Sequence, residues 1–384
     1  MKYLNLFIVL VFLFSCKNPE SSVEKIEKLT ILHLYGTPYE RGYDYGVFMK
    51  DDINKIVEKW INYVEETHEQ DFDDVVEQFF KNTSFLSEVE KFSPELIEEI
   101  KGIADGAQID FNTIMALQMS EEIDVLSDEL ENKNCTSISI DKSDSSSTFL
   151  AQNMDPDLIF HGKPILLHIT DPKTNLQSYV YTFPGLIGLN GLNSKGIGIT
   201  CNSISMLNHG SDGLPVAFIV RVLLQKTTLD DAFDFIENVP VGIPQCFTIG
   251  GIEGAKCYEC SANDKQIFYP FEKKNITFHT NFSIANRDFS QQFIDILKEY
   301  GKTVDDPYFC PRYFSVYDKV EDFNYVLNYE NIKSILSSTD SEYEQISNEN
   351  TYGSLIMELS KEPKLYIAPD RPDSTDFILL KFSK

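Results

Sequence analysis

Asn134-Cys135-Thr136-Ser137-Ile138-Ser139-Ile140, followed after a short break by Thr148-Phe149-Leu150-Ala151-Gln152-Asn153-Met154-Asp155, is the stretch on which the reading of the fold turns. Thr136 to Ile140 alternates polar and apolar residues as a strand does. Asp141 to Ser147 is a polar turn rich in Ser and Asp, and Phe149 to Gln152 reads as the returning strand. Such a hairpin brings Cys135 and the Gln152-Asn153-Met154-Asp155 cluster to one end of a sheet. A cysteine at the start of a strand is most often a small buried hydrophobe. The polar groups placed beside this one give it a second reading, as a nucleophile.

Upstream of Cys135 the chain is mostly helical. Leu29 to Leu34 alternates like a strand and breaks at Gly36-Thr37-Pro38. Ile53, Ile56, Val57, Trp60, Ile61 and Val64 then recur at helical spacing. Ser93-Pro94-Glu95 starts a helix with Ile97, Ile100 and Ile103 on one face, and Asp110 caps another running towards Ile123. Ser127 to Asn134 is an acidic, loop-like end. Downstream, strand-like runs cover Ile165 to Thr170, Ser178 to Thr182, Gly185 to Leu189 and Gly196 to Asn202, punctuated by Gly191, Gly196 and Gly198. Thr228 with Asp231 opens a helix, Gly301 ends one that starts near Phe289, and strands close the chain at Ser354 to Leu359, Lys364 to Ile367 and Phe377 to Phe382. The pattern is α+β, with helices flanking extensive antiparallel sheet.

Composition narrows the function classes. The 384 residues are 42% hydrophobic and 12% aromatic, which excludes global disorder. Asp and Glu number 60 against 33 Lys and Arg, a formal charge of -27 that repels phosphate backbones and argues against nucleic acid as a partner. Lys2, the apolar run Leu4 to Phe14, then Ser15 and Cys16 describe an export signal over 1–15, too short to span a bilayer. Leu13-Phe14-Ser15-Cys16 resembles a bacterial lipoprotein signal, with Cys16 the lipidated residue and 16–28 a polar tether. The expected location is therefore a bacterial membrane, on its periplasmic or cell-surface side. Six further cysteines, at 135, 201, 246, 257, 260 and 310, are too few for a disulfide scaffold in so long a chain. Cys257 and Cys260 sit on a strand, where positions three apart face opposite ways. Neither they nor His33, His68, His161, His168 and His209 have metal-ligand spacing, so no metal and no cofactor are expected.

Other segments complete a pattern. Gly36-Thr37-Pro38-Tyr39-Glu40-Arg41-Gly42 with Gly46 lies near the start. Gly188-Leu189-Asn190-Gly191-Leu192-Asn193-Ser194-Lys195-Gly196 leads to Thr200-Cys201-Asn202, and His279-Thr280-Asn281 precedes Ser283 and Arg287. With Cys135-Thr136 and Gln152-Asn153-Met154-Asp155, this order resembles the N-terminal-nucleophile hydrolases, and more narrowly the isopenicillin-N acyltransferase-like family of self-processing cysteine enzymes. Met154 stands where that family commonly has an aromatic residue and Phe282 where a second His is common; both are expected to line an acyl pocket.

The resemblance implies a four-layer αββα sandwich. It makes Cys135 the nucleophile, in self-cleavage after Asn134 as well as in turnover. Asp155 would orient the thiol and hold the freed ammonium, and Asn281 would donate to the oxyanion. Asn202 and Asn153 would position the substrate, and Arg287 would stabilise a carboxylate or the Asp155 network. Asn190 and Asn193 read as turn residues. A free α-amine titrates near 7.7–8.0, so Cys135 could supply both nucleophile and base. The expected products are a lipidated segment 16–134, helical over 29–134, and a catalytic segment 135–384, with 29–134 and 135–384 staying associated as one domain. The expected reaction is acyl transfer from a small, linear, non-peptide amide through a Cys135 thioester, with water favoured as acceptor. Two alternatives stay open: a conjugated-bile-acid or N-acyl-amine hydrolase on the same fold, and a surface lipoprotein that binds without turnover. A papain-type protease is disfavoured, because it places its cysteine at a helix N-terminus beside a basic His.

Overall fold

A computed structural model describes residues 20–125, 135–143, 146–271, 275–306 and 310–383. The export signal, Cys16 and Asn134 lie outside them. Between the first two strands and Cys135 the described residues form seven helices: α1 (Pro38–Phe48), α2 (Lys50–His68), α3 (Phe72–Asn82), α4 (Phe85–Phe92), α5 (Pro94–Ala107), α6 (Phe111–Leu117) and α7 (Ser120–Val125). Their starts follow the local chemistry. Thr37 and Glu40 form a reciprocal capping box ahead of Pro38, and Asp110 accepts from the Asn112 and Thr113 N–H groups.

Among the described residues the strands form two sheets. The first runs β1 (Ser22–Ile26), β2 (Leu29–Leu34), β5 (Ile165–Thr170), β6 (Gln177–Thr182), β7 (Asn190–Asn193), β8 (Gly198–Ser203), β9 (Gln245–Gly251), β10 (Gly254–Cys260) and β11 (Lys265–Phe268). The second runs β12 (Ile276–His279), β3 (Thr136–Ile140), β4 (Thr148–Met154), β13 (Gly353–Leu359), β14 (Lys364–Ala368) and β15 (Ile378–Lys381). Every pairing between them is antiparallel except β2 with β5. The remaining helices are α8 (Val216–Leu223), α9 (Leu229–Asn238), α10 (Gln291–Glu299), α11 (Pro311–Asp322) and α12 (Tyr329–Leu336).

Residue alternation fixes the layers. Gly198 and Gly250, paired on β8 and β9, face the second sheet: a Cβ at Gly250 would lie 2.6 Å from the Leu359 side chain, and one at Gly198 3.0 Å from it. The opposite face of the first sheet meets α8 and α9, where a Cβ at Gly191 would lie 2.9 Å from the Leu224 side chain and one at Gly251 3.0 Å from Leu229. On the second sheet, Ile138, Ile140, Phe149, Ala151 and Ile356 face outward. They form one core with Val316 and Val320 of α11 and Ile332, Ile335 and Leu336 of α12. The order helix–sheet–sheet–helix is the four-layer αββα sandwich that the resemblance implies.

Three stretches depart from the sequence reading. Gly185 to Leu189 is a turn and not a strand; Gly185 has φ +97°, and the strand begins only at Asn190. The polar run taken for a tether contains β1, a strand with no buried face to betray it. The helices α11 and α12 also lay outside the reading, and α11 proves to matter.

Candidate active site

β3 begins at Thr136, with Thr136 opposite Asn153 and Ser137 opposite His279. One residue further along that register, Cys135 falls between Met154 and Asn281. It shares the inward face with Ser137, Gln152 and His279. The half-buried Cys135 thereby lies at the mouth of the space between the two sheets.

Asp155 follows β4 directly. Its N–H donates to the Cys135 thiol. Its carboxylate is buried, accepts from Asn348 Nδ2 at 3.3 Å through Oδ2, and lies 4.0 Å from Arg312 Nη1; Oδ1 has no hydrogen-bond partner among the described residues. Burial pushes this carboxyl up to about 6, and Arg312, Thr351 and Asn348 recover only part of that shift. The Cys135 thiol is pushed up to about 12, first by burial and then by the negative charge of Asp155. At neutral pH the thiol therefore keeps its proton, and a base must remove it. Among the described residues no histidine hydrogen-bonds Cys135.

Arg312, the second residue of α11, is the centre of the site and was missed from the sequence. Its side chain is fully buried. Nη1 donates to Glu344 Oε1 at 3.2 Å; Nη2 donates to Asn281 Oδ1 at 3.1 Å and to the Cys135 carbonyl at 3.5 Å. Held in this way, Asn281 turns its Nδ2 to the Ser203 carbonyl at 3.0 Å, which leaves one amide hydrogen for another acceptor. The loop after Asn281 is wrapped round a buried carboxylate: Glu259 accepts from Ser283 Oγ, from the N–H groups of Ile284, Ala285 and Asn286, and from His279 Nε2 at 2.9 Å. His279 thus anchors the segment that carries Asn281.

The other sequence candidates divide. Asn202 lies on the face of β8 that meets the second sheet, fully buried, and neither end of its amide has a hydrogen-bond partner among the described residues. Asn153 does not enter the site. Its side chain points to the outer face, where Nδ2 donates to the Leu336 and Ile346 carbonyls at 2.8 and 2.9 Å, tying α12 to the sheet. Arg287 is half-exposed and pairs with Asp305 at 2.5 Å on the surface; Arg312 supplies the guanidinium in its place. Asn193 is a turn former, accepting from the Lys195 and Ile197 N–H groups at 3.0 Å. Asn190 is not, because its buried Nδ2 donates to Gln152 Oε1 at 3.1 Å and contacts the Met154 sulfur. Phe282 packs beside Ile204 and Met206. Among the described residues no three His, Cys, Asp or Glu side chains converge as a metal ion requires.

An αββα sandwich with a cysteine leading the first strand of one sheet, beside a buried Asp, an Asn and an Arg, is the arrangement that the resemblance to the N-terminal-nucleophile hydrolases implies. The chain matches the family described as acyl-coenzyme A:6-aminopenicillanic acid acyl-transferase over residues 142–300. It is 24% identical over 241 residues to the Drosophila melanogaster beta-alanyl-dopamine/carcinine hydrolase, covering 58% of this chain and 61% of that one. It is 26% identical over 203 residues to the Emericella nidulans acyl-coenzyme A:6-aminopenicillanic-acid-acyltransferase 40 kDa form, covering 52% of this chain and 54% of that one. The match thus spans little more than half the length of these relatives. A solved Caenorhabditis elegans N-acylethanolamine-hydrolyzing acid amidase ortholog aligns over 65% of this chain and 100% of its own, with TM-score 0.44 and 18% identity. The resemblance to the isopenicillin-N acyltransferase-like family, read first from the motifs, is borne out.

Proposed function

We propose that this protein is a cysteine amidohydrolase or acyltransferase that makes its own active site by cleaving before Cys135. The observation that carries this reading is the placing of a neutral, buried thiol against the Asp155 N–H, with Arg312 joining the Cys135 carbonyl to Asn281. In the uncut chain the thiol attacks the carbonyl of Asn134 and its proton passes to the Cys135 nitrogen. The C–N bond breaks, a thioester forms, and water releases Asn134 as a carboxylate. An unperturbed α-amine titrates near 7.7–8.0, so the amine freed at Cys135 is suited to serve as the base that a thiol near 12 needs.

In turnover that amine takes the thiol proton as sulfur attacks the substrate carbonyl, then passes it to the departing amine. Water, or another acceptor, resolves the acyl thioester. The remaining Asn281 amide hydrogen and the unpartnered Asn202 amide donate to the oxyanion, while Asp155 and Arg312 fix the cysteine terminus. A hydrolase and an acyltransferase among the relatives support acyl transfer with either acceptor. The lipid anchor at Cys16 remains part of the proposal, tested by metabolic labelling with a fatty acid in wild type and Cys16→Ala.

The catalytic claim is tested by mixing the protein with a series of linear N-acyl amides and following both the released amine and the protein mass. The expected result is a transient gain of one acyl group on the fragment that starts at Cys135. Amide cleavage that survives in Cys135→Ala would contradict it.

A further inference from the structure

Beside the site lies a cavity that the reaction as described leaves unused. Its lining joins the apolar Phe160, Phe183, Leu186 and Leu189 to the acidic Glu121, Asp157 and Glu122, the last accepting from the Val216 N–H at 2.9 Å. No Lys, Arg or His lines it among the described residues. It borders the site at two places. Asp157 lies two residues beyond Asp155, and Glu121 Oε2 accepts from Gln245 Nε2 at 2.6 Å and lies 3.5 Å from the hydroxyl of Ser203, the residue whose carbonyl holds Asn281. Both side chains that steady Glu121 are neutral, and among the described residues no cation pairs with it. The Cys135 thiol, raised first by burial and by Asp155, also feels the Glu121 charge.

We propose that this cavity receives a protonated amino group carried on an apolar body, with Glu121 as the residue that selects the charge, so that the substrate is a cationic amide. The inference rests on the amide-cleaving reading for the reaction, though not for the binding. An ammonium gains from a carboxylate in a partly desolvated wall, and its apolar body covers the aromatic side. A terminal carboxylate or sulfonate, as in glycine or taurine conjugates, meets like charge there and is rejected.

The test uses the wild-type protein as purified and three ligands that contain no amide bond: 3-phenylpropylamine, 3-phenylpropanol and 4-phenylbutyrate, each titrated calorimetrically at low and high salt. The ammonium should bind at least about tenfold more tightly than the carboxylate, and salt should narrow the gap. Glu121→Gln, which keeps a hydrogen-bonding shape towards Gln245 and Ser203, should remove most of the preference, and Glu121→Lys should reverse it. The salt dependence in wild type stands even where a variant does not fold. Equal or tighter binding of the carboxylate, no binding of any ligand, or a preference unchanged in a folded Glu121→Gln protein would overturn the inference. Cleavage of amides is read separately: a charge preference without turnover would sink the proposed reaction and leave this binding site standing.

Discussion

Among the described residues two arginine–carboxylate centres are buried, and they are built to opposite ends. Glu99 on α5 lies between Arg41 of α1 and Arg221 of α8, with contacts of 2.5, 2.6 and 2.9 Å. The helices that carry it meet backbone to backbone, since a Cβ at Gly42 would lie 2.0 Å from the Glu99 carbonyl oxygen. Burial alone would raise the Glu99 carboxyl, but two cations hold it at about 2. Asp155 has one arginine, at 4.0 Å, and shares it with Glu344, Asn281 and the Cys135 carbonyl. Its carboxyl is left at about 6. A carboxylate with surplus compensation locks helices together; one with too little stays poised to exchange a proton. That contrast separates scaffold from site.

The largest break in the comparison is expected at the scaffold. Glu99→Gln leaves two buried guanidinium groups without an anion and should lower unfolding stability by about 3–5 kcal/mol in urea titrations. The rate per folded molecule should change little. Arg312→Lys reverses that pattern. A point charge cannot reach the Cys135 carbonyl, Asn281 and Glu344 together, so kcat should fall about 10²–10³-fold while the urea midpoint moves much less.

The two carboxylates also tilt stability in opposite directions with pH. Asp155 titrates higher in the folded chain than its unfolded value of about 3.9. The native state therefore keeps an extra proton, and stability falls as pH rises from about 4 to 6. Glu99 titrates lower when folded, so its stabilisation is present above about pH 4.5 and is lost as pH falls towards 2. Each is worth roughly 3 kcal/mol, and unfolding curves across pH should show the first slope vanish in Asp155→Asn and the second in Glu99→Gln. Activity should decline first as pH falls through about 8, where a free α-amine takes up a proton and stops serving as base, and further below about pH 6, where Asp155 takes up its own. The smallest effect sharpens the site's boundary: Arg287→Ala, on the surface with Asp305, should leave stability within about 0.5 kcal/mol and kcat/KM unchanged.

Local signals made much of this legible in the sequence. The hairpin from Thr136 to Met154, the caps at Asp110 and Thr228, and the period of α2 are each written in a few adjacent residues, and the structure reproduces them. What escaped depends on contacts between distant segments. Arg312 follows Cys135 by 177 residues and carries no motif of its own; only the packing of α11 on the outer face of β3 and β4 brings it to the cysteine. Arg287 matches the spacing Ser283-x-x-x-Arg287 that the resemblance implies, but the loop tied round Glu259 turns it outward. Asn153 and Asp155 both read as site residues at one strand end, the first for positioning and the second for the thiol, yet Asn153 faces α12 while Asp155 meets the thiol. The opening Gly-Thr-Pro motif lies in the scaffold, for its Arg41 belongs to the Glu99 centre.

The central claim, that Cys135 makes itself a chain terminus and then uses its own amine as base, is met most directly by the intact mass of purified wild type beside Cys135→Ala. The account predicts two associated fragments meeting at Asn134 and Cys135 in wild type and one unbroken chain in the variant. One unbroken chain in both, or the same cut in both, would contradict it.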